Sequence, residues 1–199
     1  KSPLGTNAPF RSAFESLGKL ALPKLRTALR ESSSEEVREV AVTALEMAGG
    51  EESAFLLVEA LDDASPSVRS TASIQLAHIG AAALSPLETV LENGSDDARR
   101  QAVWALYSYQ QHSRGGARDE RATELIVRAL TDPDPIVRSF ALHILAEVVT
   151  PVPTDQLFEG LNDPSADVRS TAAKSLAKHK HVEAIPVLIG LLQDFSAVS

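Results

Sequence analysis

The chain has 199 residues, 44% of them apolar and only 5% aromatic, and 19 Lys and Arg against 27 Asp and Glu give a net charge of −8. That balance speaks against a nucleic-acid binder, which shows a basic face. The absence of cysteine excludes disulfides, thiolate metal sites and thiol nucleophiles, and no apolar run approaches the roughly 20 residues of a membrane-spanning helix.

Taken in order, the chain repeats itself. Each unit is predicted as a helical hairpin in which helix A carries an Ala followed four residues later by Leu, and helix B carries Leu or Ile followed four residues later by Leu. Spacings of four put both members of a pair on one helix face. The predicted units are residues 10–30, 34–62, 65–92, 95–131, 134–162 and 165–193. The first (Ala13/Leu17, Leu25/Leu29) runs without a break and has Phe10 where later units have Arg, so it reads as a cap or truncated hairpin. The second and third open on Ser34 and Ser65, N-caps whose hydroxyl accepts from a free backbone N–H of the first turn. Their anchors are Ala41/Leu45 with Leu57/Leu61 and Ala72/Leu76 with Leu87/Leu91, and Gly49, Gly50 and Gly80 mark the turns.

The fourth unit opens on Ser95, carries Ala102/Leu106 and Ile126/Leu130, and is lengthened by an insertion at 110–120. The fifth opens on Asp134 with Pro135 at the first helical position, where no N–H is needed. The sixth opens on Ser165 and repeats the Val-Arg-Ser-Thr-Ala of 68–72 at 168–172. Asp194 would open a seventh. The last B helix is apolar nearly all round, so the chain reads as one continuous repeat domain cut from a longer array, or as one that self-associates there.

A second regularity crosses the hairpin ends. An Asp or Asn six residues before each arginine gives the pairs Asp63/Arg69, Asn93/Arg99, Asp132/Arg138 and Asp163/Arg169. A planar guanidinium can bridge one carboxylate in its own unit and one in the next, which predicts a ladder of half-buried ties along the stack.

The pattern Asp-x5-Arg-x2-Ala-x3-Leu at a period of about 30 residues resembles the HEAT repeat, in the short HEAT-like subtype of phycobilin lyases. The resemblance implies an all-α, right-handed solenoid of about six hairpins and spans roughly residues 10–193. It does not imply one function, since such repeats serve in lyases, DNA glycosylases, hydroxylases and scaffolds. HEAT-like diiron hydroxylases present His-Glu dipeptides, and none of His78, His112, His143, His179 or His181 is followed by Glu. No residue set singles out a chromophore site or a phosphate loop, so no catalytic residue, metal ligand or cofactor is expected.

Two places remain for binding. Trp104, Tyr107 and Tyr109 gather every Trp and Tyr of the chain on one helix beside the insertion, with Arg114 and Arg118 near in sequence. Such residues dominate interaction hot spots, although rings can equally fill space under a loop. The second place is a row along the B helices, expected to line a concave face: Val58, Glu59, Glu88, Val127, Arg128, Phe158 and Glu159. A mixed apolar and acidic lining suits a peptide or helix of a partner protein; the alternative is that Val127 and Phe158 only pack repeats together. The sequence thus leads to a non-enzymatic protein-interaction scaffold. A phycobilin-lyase-type subunit handling a tetrapyrrole is the alternative, and nucleic-acid binding ranks last. The cytoplasm is the default compartment, with an exported origin left open.

Overall fold

A computed structural model describes residues 8–112, 119–148 and 154–190, with side chains from residue 20 onward. The described residues are helices and short connections. They fall into two compact units, residues 1–117 and 118–199.

The first unit holds α1 (Ala8–Glu31), α2 (Glu35–Ala48), α3 (Gly50–Leu57), α4 (Pro66–Ile79), α5 (Leu84–Asn93) and α6 (Asp96–His112). A 3-10 turn, Val58–Asp62, prolongs α3, and another, Gly80–Ala83, leads into α5. The A helices α2, α4 and α6 pack side by side, α4 in the middle, and α1 lies against α2. The stretch at 10–30, read as a cap or truncated hairpin, lies within a single helix, α1, which carries Pro23 inside it. Gly18 lets α1 approach closely: a Cβ there would lie 2.5 Å from the Cβ of Ala48 and 2.7 Å from its Cα.

The second unit holds α7 (Glu120–Arg128), α8 (Pro135–Val148), α9 (Thr154–Gly160) and α10 (Ala166–Lys178), followed by a turn at Val182–Ala184 and helical residues 185–190. Its core joins Leu142, Leu157, Leu161, Val168, Ala172 and Leu176.

In both units the anchors sit where the periodicity places them. Ala41, Leu45, Ala72, Leu76, Ala102, Leu106, Ala141, Leu145, Ala172 and Leu176 are all buried. Burying a Leu side chain contributes about 1.5–3 kcal/mol, so these pairs supply much of the cohesion of each hairpin. Helix starts follow the expected chemistry with one exception. Ser34 Oγ accepts from Val37 N (3.3 Å), Ser65 Oγ from Ser67 N (3.2 Å), Ser95 Oγ from Ala98 N (3.1 Å) and Asp134 Oδ1 from Ile136 N (3.0 Å). Ser165 has the extended backbone of a cap, but its side chain makes no cap bond. Gly49 (φ 68°) and Gly50 (φ 78°) turn the chain between α2 and α3 in a region that costs other residues strain.

Candidate protein-interaction surface

The polar chemistry between hairpins is structural, and its geometry refines the expected ladder. Arg38 donates from Nε and Nη2 to the two carboxylate oxygens of Asp63, at 2.7 and 2.9 Å. Arg138 does the same to Asp163 at 2.8 and 2.8 Å. Each arginine therefore holds the carboxylate of the following hairpin in a two-pronged pair. Its contact in its own hairpin differs from the expectation. There the guanidinium reaches backbone carbonyls: Arg38 to Ser32 O, Arg69 to Asp63 O and Ala64 O, Arg138 to Asp132 O and Pro133 O, Arg169 to Asp163 O and Pro164 O.

The carboxylates of Asp63, Asp132 and Asp163 bend back to accept from the N–H two residues on, at Ser65 (2.8 Å), Asp134 (2.8 Å) and Ser165 (2.7 Å). The side chains of Asp63 and Asp163 are only 8% and 13% exposed. The arginine bond is the main cause holding both carboxyls below their ordinary range, aided by the serine N–H and opposed by burial. Asn93 stands in the equivalent place before Ser95 but donates to Thr89 O (3.3 Å). Arg99 binds Gly94 O (2.8 Å) and Asp96 of its own first turn (2.8 Å).

Between successive A helices each unit has an open groove. In the first unit it lies between α2 and α4, holds about 410 Å³ and is lined by Glu39, Val40, Thr43, Ala44, Met47 and Thr71. Glu39 bonds to Ser67 Oγ across it. In the second unit the groove between α8 and α10 holds about 520 Å³, and its lining includes Ile136, Phe140, His143, Thr171 and Lys174. A hydrogen bond between Ser139 and Thr171 (2.8 Å) joins the two helices. Large apolar side chains stand exposed on the A helices of the first unit: Val40 at 69%, Ile74 at 42% and Trp104 at 40%.

The residues singled out in sequence fall as follows. Trp104 and Tyr107 come together with ring centroids 5.6 Å apart and planes tilted by 50°. Tyr109 is directed elsewhere: its ring lies against the Gly80 turn, where a Cβ would meet it at 3.5 Å. Arg114 and Arg118 lie outside the described residues, as do Asp194 and the end of the last B helix. Of the B-helix row in the first unit, Val58 and Glu88 are half-buried, and Glu59 is held by Arg30 through two bonds of 2.6 Å. In the second unit Val127, Arg128 and Glu159 are exposed, whereas Phe158 packs against the core. For Phe158 the packing alternative holds.

His78 and His143 are exposed, and His179 Nε2 lies 2.9 Å from Ala146 O. Among the described residues no group of His, Asp and Glu could hold a metal ion. Sequence reasoning missed the A-helix grooves and the N-cap at Asp119, which accepts from Ala122 N (3.1 Å). The signal was legible: bulky Val40, Ile74 and Trp104 stand off the Ala/Leu face.

Helical hairpins stacked through buried Ala/Leu faces and cross-hairpin Arg–Asp ties define a repeat protein of the α-solenoid class. Models of HEAT repeats match residues 22–107 and 154–178, and the PBS lyase HEAT-like repeat matches residues 168–194. The chain belongs to the HEAT-like repeat proteins. No curated protein matches it in sequence. Similar solved structures include a designed armadillo repeat protein in complex with the peptide (KR)4, at 21% identity over 85% of this chain and 90% of that one, with a TM-score of 0.44. Human deoxyhypusine hydroxylase is 20% identical over 86% of this chain and 79% of its own, with a TM-score of 0.47. The CpcE–CpcF complex of phycocyanin lyase from Nostoc sp. is 20% identical over 94% and 76%, with a TM-score of 0.40. None of these values carries a functional argument.

Proposed function

We propose that this chain is a non-enzymatic scaffold that binds a peptide or helical segment of a partner protein. One observation carries the reading. The first unit leaves Val40, Ile74 and Trp104 exposed on three consecutive A helices while its buried arginine and aspartate groups are committed to joints. Exposed bulky side chains on adjacent helices, one of them a Trp paired with a Tyr, are the makings of an interaction hot spot. In the second unit, taken by itself, the B-helix positions Val127, Arg128 and Glu159 are exposed.

Selection of displayed peptides against the purified chain tests the reading. Expected are peptides that bind the isolated chain with a Kd of about 10 μM or tighter and lose at least about tenfold on Trp104→Ala. If no selected peptide binds the chain better than its scrambled counterpart, the scaffold reading is wrong.

A further inference from the structure

We infer that the groove between α2 and α4 takes a cationic amphipathic helix of a partner protein. This rests on the scaffold reading above and adds a place and a partner chemistry to it.

The groove has an apolar floor and an acidic rim. Val40, Ala44 and Met47 supply the apolar surface, and Glu39 stands at the edge. Val40 is the most exposed large apolar side chain among the A helices. Beyond the groove, Ile74 and Trp104 stand two residues past their anchors Ala72 and Ala102, the register that Thr43 holds past Ala41 in the groove itself. Exposed apolar side chains are thus present on α4 and α6 as well. A helix laid in the groove would use side chains at i, i+3, i+4 and i+7 as anchors.

The charge around this floor is one-sided. The groove helices α2 and α4 carry Glu35, Glu36, Glu39 and Glu46 against two arginines, Arg38 and Arg69. Arg38 is committed to Asp63, and Arg69 to the carbonyls of Asp63 and Ala64. Glu36 on the first turn of α2 stays ionised, its pKa lowered chiefly by the hydroxyl of Ser34. On α2 and α4 this excess of carboxylates stands beside the exposed side chain of Val40. Lys or Arg flanking the apolar stripe of a partner helix would match it, and charge complementarity of this kind sets specificity and on-rate. The groove of the second unit differs, since Phe140, His143, Asp167 and Lys174 line it.

The test titrates the full chain with two synthetic helical peptides that share one apolar stripe of Leu. One carries Lys and Arg along its flanks and the other carries Glu at the same places. The basic peptide is expected to bind, to weaken about tenfold on Val40→Asp or Glu39→Lys, and to weaken severalfold between low and high salt. The Glu peptide is expected not to bind. The matched control is Glu51→Lys, the same change of charge as Glu39→Lys but on α3, which should alter affinity less than threefold. An equal loss from that control would mean diffuse electrostatic attraction and overturn the groove. So would binding of the Glu peptide, or basic-peptide binding indifferent to Val40→Asp. Val40 lies on the surface, so unchanged helicity by circular dichroism separates loss of binding from loss of fold. If neither peptide binds while selected peptides of other composition still do, this inference fails and the scaffold reading stands. If no peptide of any kind binds, both fail.

Discussion

The α2–α4 pair and the α8–α10 pair are one design built twice, with equivalent residues numbered 100 apart: Arg38 and Arg138, Asp63 and Asp163, Thr71 and Thr171. The joints agree to about a tenth of an ångström, with two-pronged pairs at 2.7 and 2.9 Å in one and 2.8 and 2.8 Å in the other. The grooves above those joints do not agree. Glu39, Val40, Thr43 and Ile74 in the first unit stand where the second has Ser139, Phe140, His143 and Lys174. A joint that must place two hairpins tolerates little change, because a planar guanidinium meets two oxygens only in one geometry. A surface groove bears no such constraint, so its lining can differ: Glu39, Val40 and Met47 in one unit, and Phe140, His143, Asp167 and Lys174 in the other. Shape comes from what the units share, and selectivity from where they differ.

The strongest way to break this comparison is to cut the joints. Asp63→Ala and Asp163→Ala should each cost about 2–3 kcal/mol, since each leaves a half-buried guanidinium without its carboxylate and frees a serine N–H. Urea denaturation measures both, and losses differing by more than about 1 kcal/mol would show that the joints are not equivalent.

Acid probes the same ties without mutation. Both carboxyls have a folded pKa below the ordinary value of about 3.9. A group depressed in the folded state contributes its stability fully above its unfolded pKa and loses it as pH falls through the folded one. Stability should therefore hold between pH 7 and about pH 5 and fall steadily below about pH 4. The double variant Asp63→Ala, Asp163→Ala should show a shallower fall. An unchanged slope would mean that other carboxylates dominate.

Smaller effects sharpen the picture of the first unit. Ser53 is fully buried, and its hydroxyl finds no hydrogen-bond partner among the described residues. Ser53→Ala should raise stability by about 1 kcal/mol, because an unsatisfied buried hydroxyl is desolvated without return. A measured loss would reveal an unrecognised partner. Smallest of all, Asn93→Asp restores the acidic residue that the other joints have before the cap serine. It should gain about 0.5 kcal/mol if the new carboxylate reaches Arg69, and a double-mutant cycle with Arg69 would report that contact as a coupling energy.

Much of this architecture can be read in the chain. Ala41/Leu45 and Ala172/Leu176 announce buried faces through a spacing of four, and Ser34, Ser65, Ser95 and Asp134 announce helix starts through the chemistry of a free N–H. The aromatic trio was less legible. Trp104 and Tyr107, three residues apart, meet as helical geometry requires, while Tyr109 turns to the Gly80 loop through a contact that no local rule encodes. Phe158 and Val127 hold matching places in the B-helix register, yet one packs on the core and the other is exposed. Register alone does not say how closely a neighbouring helix approaches.

The sequence by itself determined the period, the hairpin, the anchors and the residues of the joint, because each depends on spacings within one or two helical turns. Only the tertiary structure decided that the arginines take backbone carbonyls, not a carboxylate, from their own hairpin. It also decided that the open grooves lie between A helices. The grooves join residues about 30 positions apart, and their outcome turns on how deeply side chains of neighbouring helices interlock, a property of packed pairs that no single helix carries.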